Sequence, residues 1–245
     1  QVITFDNRDI GLSTQCDWTP PSQWRQLLSL ITRRRLKRVG HTLTDMAADA
    51  AGLLDGLGVG PTHIVGLSMG GMIAQEMAIG HPEKVRSLCS IMSNPGDRRS
   101  GGVSARLLAR LGRPRTPTRD TAADEFVRVF EQISGPHFDA DLVRAQAKLS
   151  VERSFTPEGV ARQSAAVAGS RDRTEPLGLV TAPVLVIHGL LDPLVKFSGG
   201  VATAAAVPAS RLIVFPDMGH DLPRSRWHEM RDAIIANTQR AGRSL

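Results

Sequence analysis

The 245-residue chain contains no tyrosine, only 4% aromatic residues in all, and two cysteines, Cys16 and Cys89. Two cysteines with no C-x-x-C pair and no His/Cys group near them in sequence support neither a disulfide framework nor a zinc module. A reducing, cytoplasmic setting is the expectation that remains. Without tyrosine, and without a helix-turn-helix or zinc-finger pattern, the chain lacks the stacking surface and the groove-reading element of a sequence-specific nucleic-acid binder. No apolar run approaches the roughly 20 residues of a bilayer span, and no signal-peptide pattern opens the sequence. Acid is missing from one stretch altogether. Between Trp18 and Thr44 there is no Asp or Glu, while Arg25, Arg33, Arg34, Arg35, Lys37 and Arg38 stand there and account for the whole formal charge of +6. Such a run reads as a solvated basic loop, and the partner it would suit is an anionic lipid surface, met through Arg33, Arg34, Arg35, Lys37 and Arg38.

What is present is the material of a globular α/β protein: 41% apolar residues, with 22% charged residues spread along most of the length. Short apolar runs alternate with helical periodicity, the pattern of βαβ units and a parallel sheet. Strands are predicted at Val2 to Phe5, His63 to Gly66, Val85 to Met92, Val184 to Ile187 and Leu212 to Phe215. A helix capped by Thr44 carries Met46, Ala50, Leu53, Leu54 and Leu57 at helical spacing and ends at Gly58 and Gly60. Further helices are predicted over Met69 to Ile79 and around Trp227, Met230 and Ile234. Between about Asn94 and Val180 the alternation stops, and apolar residues recur at helical spacing in Leu107 to Leu111, Phe126 to Phe130 and Leu142 to Leu149. This segment reads as a helical insertion, with a flexible link at Pro114 to Pro117.

The segment that carries chemistry is Gly66-Leu-Ser-Met-Gly70, a G-x-S-x-G motif running from an apolar strand into a helix. A serine on so sharp a turn has strained backbone angles, and Gly66 and Gly70 are expected to let strand and helix approach. Ser68 would then stand at the positive end of the following helix, with the Met69 N–H aimed at a developing oxyanion. A serine nucleophile needs a base and a carboxylate to orient it, in loops past later strands. Asp192 follows the Val184 strand and His220 follows the Leu212 strand. Asp217, three residues before His220 in the same loop, is the weaker acid candidate. His41, His63, His81, His137, His188 and His228 read as structural; Cys89 reads as core, and Cys16 has no base near it in sequence.

Four blocks together resemble the α/β-hydrolase superfamily, closest to actinobacterial-type esterases and lipases: Phe5-Asp-Asn-Arg-Asp-Ile-Gly-Leu-Ser13, the nucleophile elbow, Val186-Ile-His-Gly-Leu-Leu-Asp-Pro193, and Met218-Gly-His220. The resemblance implies a mostly parallel sheet flanked by helices, with a core formed by residues 1–94 and 181–245 and a helical cap over residues 95–180. It implies Ser68, Asp192 and His220 as the catalytic triad of a carboxylic ester hydrolase, with Met69 in the oxyanion hole and no cofactor or metal. Methyl ester hydrolysis of a polycyclic natural product and cofactor-free perhydrolysis reuse the same residues. The family pattern begins with three further strands and a His-Gly oxyanion loop that have no counterpart before Gln1. That departure predicts missing N-terminal strands, an open sheet edge and weak catalysis, and in the extreme a remnant that only binds.

Overall fold

The computed structural model describes residues 1–32, 34–111 and 116–242, apart from the side chain of Leu111. Arg33, and Pro114 and Arg115 of the predicted Pro114 to Pro117 link, lie outside the described residues. In chain order the elements are α1 (Gln23–Thr32), α2 (Leu43–Gly56), β1 (Thr62–Leu67), α3 (Met69–Gly80), β2 (Val85–Ile91), α4 (Ala105–Leu111), α5 (Ala122–Ile133), α6 (Ala140–Arg153) and α7 (Pro157–Gly169). They continue with α8 (Thr174–Leu177), β3 (Val184–Gly189), α9 (Ser198–Ala206), β4 (Arg211–Phe215) and α10 (Trp227–Arg240). None of the described helices is long and apolar enough to cross a membrane.

Two compact units emerge, with boundaries that differ from the predicted core and cap. One comprises residues 1–42, 109–132 and 139–170; the other comprises 43–108, 133–138 and 171–245. The second holds a four-stranded parallel sheet in the order β1-β2-β3-β4. Parallel neighbours need crossovers, and α3 and α9 supply them between β1 and β2 and between β3 and β4. Side chains alternate across each strand. Cys89, Ile91, Leu185, Ile187 and Phe215 therefore share one buried face with Met92, Met218 and Met230 of α10, against which Ile213 and Ile234 also pack. Every residue of β3 is buried, and the strand opens on the apolar run Val184 to Ile187. Truncating Ile187 to alanine there would cost about 2–5 kcal/mol. On the helical side, the fully buried Arg173 donates to Gln75 Oε1 at 3.0 Å and to the Asn94 carbonyl at 2.9 Å, which ties α3 to the loop after β2.

The registers pair Leu67 with Ile91, Ile91 with Ile187 and Gly189 with Phe215. The strands thus end within two residues of one another, and the loops leaving them lie on the same edge of the sheet. In open parallel sheets this edge is where ligands meet the fold.

The first unit is helical and is joined by contacts between residues far apart in sequence. Arg162 Nε donates to Asp9 Oδ1 at 2.7 Å in a fully buried pair, Gln163 donates to the Arg8 carbonyl at 2.8 Å, and Arg153 meets Asp6 at 2.6 Å. These contacts draw residues 1–42 to the α6–α7 region, whereas the family resemblance implies a place for them in the core. Val2 to Phe5 is not a strand: Val2, Ile3 and Phe5 are exposed, and among the described residues no strand pairs with them. A strand persists only through its ladder, so an apolar run with no partner stays irregular. Helix α2 starts at Leu43, which puts Thr44 inside the first turn instead of at the cap. Part of the predicted basic loop is the helix α1; Arg34, Arg35, Lys37 and Arg38 are exposed.

Candidate active site

Ser68 sits between β1 and α3 with φ 52° and ψ −117°, in a region that a residue with a side chain rarely adopts. Its own N–H is held by the Ile91 carbonyl at 2.8 Å, and its carbonyl accepts from Gly71 and Met72, so the strained angles are locked from both sides. The elbow needs a small residue at Gly66, as expected, and also at Gly71, but not at Gly70. A Cβ on Gly66 would lie 2.1 Å from the Gly70 carbonyl oxygen, and one on Gly71 would lie 2.8 Å from Ser93 Cβ, whereas Gly70 faces open space. The crowding thus involves the Gly70 backbone, and a side chain at that position would meet nothing. Met69 is the first residue of α3, so its N–H has no acceptor within the helix and points out of the helix start beside Ser68.

Ser68, His220 and Asp192 form one hydrogen-bonded chain. His220 Nε2 lies 2.9 Å from Ser68 Oγ, and His220 Nδ1 lies 2.7 Å from Asp192 Oδ2. Asp192 is 4% exposed and His220 6%. The other oxygen of Asp192 accepts the Leu194 and Val195 N–H groups at 2.9 and 2.8 Å. Burial pushes the Asp192 carboxyl up, but the imidazoles of His188 and His220 and the Val195 N–H outweigh it and leave it below the ordinary carboxylate range. A carboxylate that stays ionised behind an imidazole can orient it, and the imidazole can then exchange a proton with the serine hydroxyl.

Asp217 is brought elsewhere. Its carboxylate takes Arg226 Nε and a terminal guanidinium nitrogen at 3.0 and 2.8 Å and His137 Nε2 at 2.9 Å. The Arg226 guanidinium, with His137, holds it down at about 2. It anchors the loop and does not touch His220 in this arrangement.

Two further supports hold this site. Residues 133–138, inside the predicted insertion, belong with the sheet: the Ile133 carbonyl accepts the His220 N–H at 2.7 Å, and Asp221 Oδ1 accepts the N–H groups of Gly135 and Gly219 at 3.1 and 2.9 Å. Burial raises the Asp221 carboxyl above its ordinary value. The second support is His188, which is fully buried. Its Nε2 lies 2.7 Å from the Val195 carbonyl and 3.5 Å from Asp192 Oδ2. A carbonyl only accepts, so Nε2 carries the proton, and His188 braces the turn that presents Asp192. The signal for it is the i, i+4 spacing of His188 and Asp192 across the end of β3.

Cys89 is buried in the core as expected, and burial pushes its thiol up to about 12. Cys16 differs from the expectation: Asp9, Cys16 and His41 offer ligand atoms within 4.8 Å of one another. The Arg162 guanidinium already neutralises Asp9, and Trp18 Nε1 donates to His41 Nδ1 at 3.2 Å, so a cation would have to displace existing partners. Burial and the Asp9 charge raise the Cys16 thiol, which works against a reactive thiolate.

Residues 1–223 match the family model described as the alpha/beta hydrolase fold. Among curated proteins, the chain is 26% identical to rhodomycin D methylesterase DnrP of Streptomyces peucetius over 98% of this chain and 82% of that one. It is 31% identical to a pimeloyl-[acyl-carrier protein] methyl ester esterase of Neisseria meningitidis serogroup B over 72% of this chain and 68% of that one. Among solved structures, a thermophilic esterase from Thermogutta terrifontis superposes with a TM-score of 0.66 at 24% identity, covering 96% of this chain and 78% of that one.

Proposed function

The chain belongs to the α/β-hydrolase family, and from that membership we propose that it hydrolyses carboxylic esters, with Ser68 as nucleophile, His220 as general base and acid, and Asp192 as the orienting acid. The observation that carries the reading is the continuous chain from Ser68 Oγ through His220 to Asp192, at 2.9 and 2.7 Å. Ser68 Oγ attacks the ester carbonyl as His220 Nε2 takes its proton. The carbonyl oxygen becomes an oxyanion, which the Met69 N–H and the positive end of α3 stabilise. The imidazolium is held by the Asp192 carboxylate and returns its proton to the departing alkoxide, so the alcohol leaves and an acyl-serine remains. Water, deprotonated by the same imidazole, then releases the acid.

Two relatives are named for methyl ester cleavage, which favours small alcohols as leaving groups on larger acids. The test pairs a fluorophosphonate probe with a panel of p-nitrophenyl esters and of methyl esters of bulky carboxylic acids. Labelling confined to Ser68, turnover of methyl esters, and loss of both in Ser68→Ala and His220→Ala are expected. A folded protein that the probe does not label, or a His220→Ala variant retaining half the activity, would overturn the reading.

A further inference from the structure

Helix α1 is inside out. Its buried residues are the polar Gln26 and Ser29, whereas Trp24 and Leu28 are each 58% exposed and Ile31 is 55% exposed. Trp24, Leu28 and Ile31 are spaced i, i+4, i+7 and so form one stripe on the helix. The polar side is held in place: Gln26 Nε2 donates to the carbonyls of Pro21 and Ala161 at 2.8 and 3.2 Å, and Ser29 Oγ donates to the Arg34 carbonyl at 2.6 Å. Helix α1 therefore docks on α7 by its polar side, and its apolar stripe is presented outward. Single exposed apolar residues need no explanation, but a stripe that displaces the polar face from solvent does.

The charges around the stripe say what covers it. Arg25 on the helix and Arg34, Arg35, Lys37 and Arg38 just beyond it are exposed, and no acid occurs between Trp18 and Thr44. A second copy of this chain would bring the same cations against themselves. We propose that α1 and the basic segment after it form a peripheral docking surface for an anionic membrane, with Trp24, Leu28 and Ile31 entering the headgroup–acyl boundary and the arginines and lysine meeting lipid phosphates. The ten-residue helix is too short to span a bilayer, so the contact is one of lying on the surface. This surface is independent of the hydrolase chemistry, and its test needs no activity.

The measurement is co-sedimentation of the whole chain with vesicles of phosphatidylcholine alone and of phosphatidylcholine carrying 30 mol% phosphatidylserine, at low and high salt. Binding to the anionic vesicles should be at least about tenfold stronger than to neutral ones and should weaken as salt rises, since each basic residue contributes electrostatic attraction. Two double variants at exposed positions separate the parts: Leu28→Ser with Ile31→Ser removes the apolar stripe, and Arg34→Glu with Arg35→Glu reverses charge. Each should weaken anionic-vesicle binding about tenfold or more while leaving the melting temperature and the circular dichroism spectrum in place. No binding, equal binding to neutral vesicles, or binding untouched by both variants would overturn the proposal. So would a dimer, seen by sedimentation velocity without lipid, that the Leu28→Ser, Ile31→Ser variant abolishes, because the stripe would then belong to a second copy.

Discussion

Replacing Asp192 by asparagine tests the acid assignment with little disturbance to the loop. Asparagine keeps an oxygen to accept the Leu194 and Val195 N–H groups, so the turn after β3 should persist. What disappears is the negative charge 2.7 Å from His220 Nδ1. When His220 receives the serine proton, that charge and the imidazolium are about 4 Å apart between centres, and at an effective dielectric near 20 their attraction is about 4 kcal/mol. At about 1.4 kcal/mol per decade this predicts a fall in kcat of about 10³-fold. Loss of control over the imidazole tautomer extends the expectation toward about 10⁴-fold. His188 does not compensate, because its Nε2 is committed to the Val195 carbonyl.

The assay is steady-state hydrolysis of a p-nitrophenyl ester, with circular dichroism and a thermal melt to establish that the variant is folded. The companion variant is Asp217→Asn. Its carboxylate is shared by Arg226 and His137 and lies apart from the imidazole, so its removal should cost less than about tenfold, as expected of a partly exposed ion pair. A folded Asp192→Asn protein within about tenfold of the unsubstituted rate, or equal losses in the two variants, would refute the reasoning.

Gly66→Ala would drive a Cβ to 2.1 Å from the Gly70 carbonyl oxygen and should lower stability by about 1–3 kcal/mol, while Gly70→Ala, facing open space, should melt within a few degrees of the parent; thermal melts of both decide it. His188→Phe removes the imidazole that braces the turn and stands 3.5 Å from Asp192 Oδ2, where it helps hold that carboxyl ionised, so kcat should fall with KM nearly unchanged and the acid limb of the pH–rate profile should move to higher pH; an unmoved limb would reduce His188 to packing. Asp221 has a folded pKa raised above the unfolded carboxyl value of about 3.9, so the folded state holds the extra proton and stability falls as pH rises through the interval between the two values. Asp221→Asn keeps an acceptor for Gly135 and Gly219 and should flatten that fall in melting temperature, and an unchanged pH dependence would contradict the assignment.

What is legible in this sequence, and what is not, divides along a physical line. The strands β1 to β4 and the helices α2, α3 and α10 follow from local pattern, because short apolar runs bounded by turn residues read as strands and apolar residues every three to four positions read as helix, whereas α9, built mostly of small residues, carries no such repeat. The meeting of Ser68, Asp192 and His220 across 152 positions is legible for the same reason: each follows a parallel strand, and strand ends on the same edge of the sheet bring their loops together. Val2 to Phe5 has a strand's composition but no ladder, and a ladder is a property of two segments. The grouping of residues 1–42 with α7 depends on Asp9 and Arg162, 153 positions apart, a pairing that no local pattern announces. At the elbow, the motif marks Gly66 and Gly70 alike, yet only at Gly66 would a side chain collide, because the close approach is between one Cα and the other residue's carbonyl. The choice between Asp192 and Asp217 turns on partners too: Arg226, nine residues after Asp217, draws that carboxylate to itself and leaves the imidazole to the carboxylate beyond β3. Helix α1 is the sharpest case: the acid-free run that contains it reads as a solvated basic loop, yet residues 23–32 form a helix whose buried side is the polar one, held by Gln26 and Ser29, and whose apolar stripe is exposed.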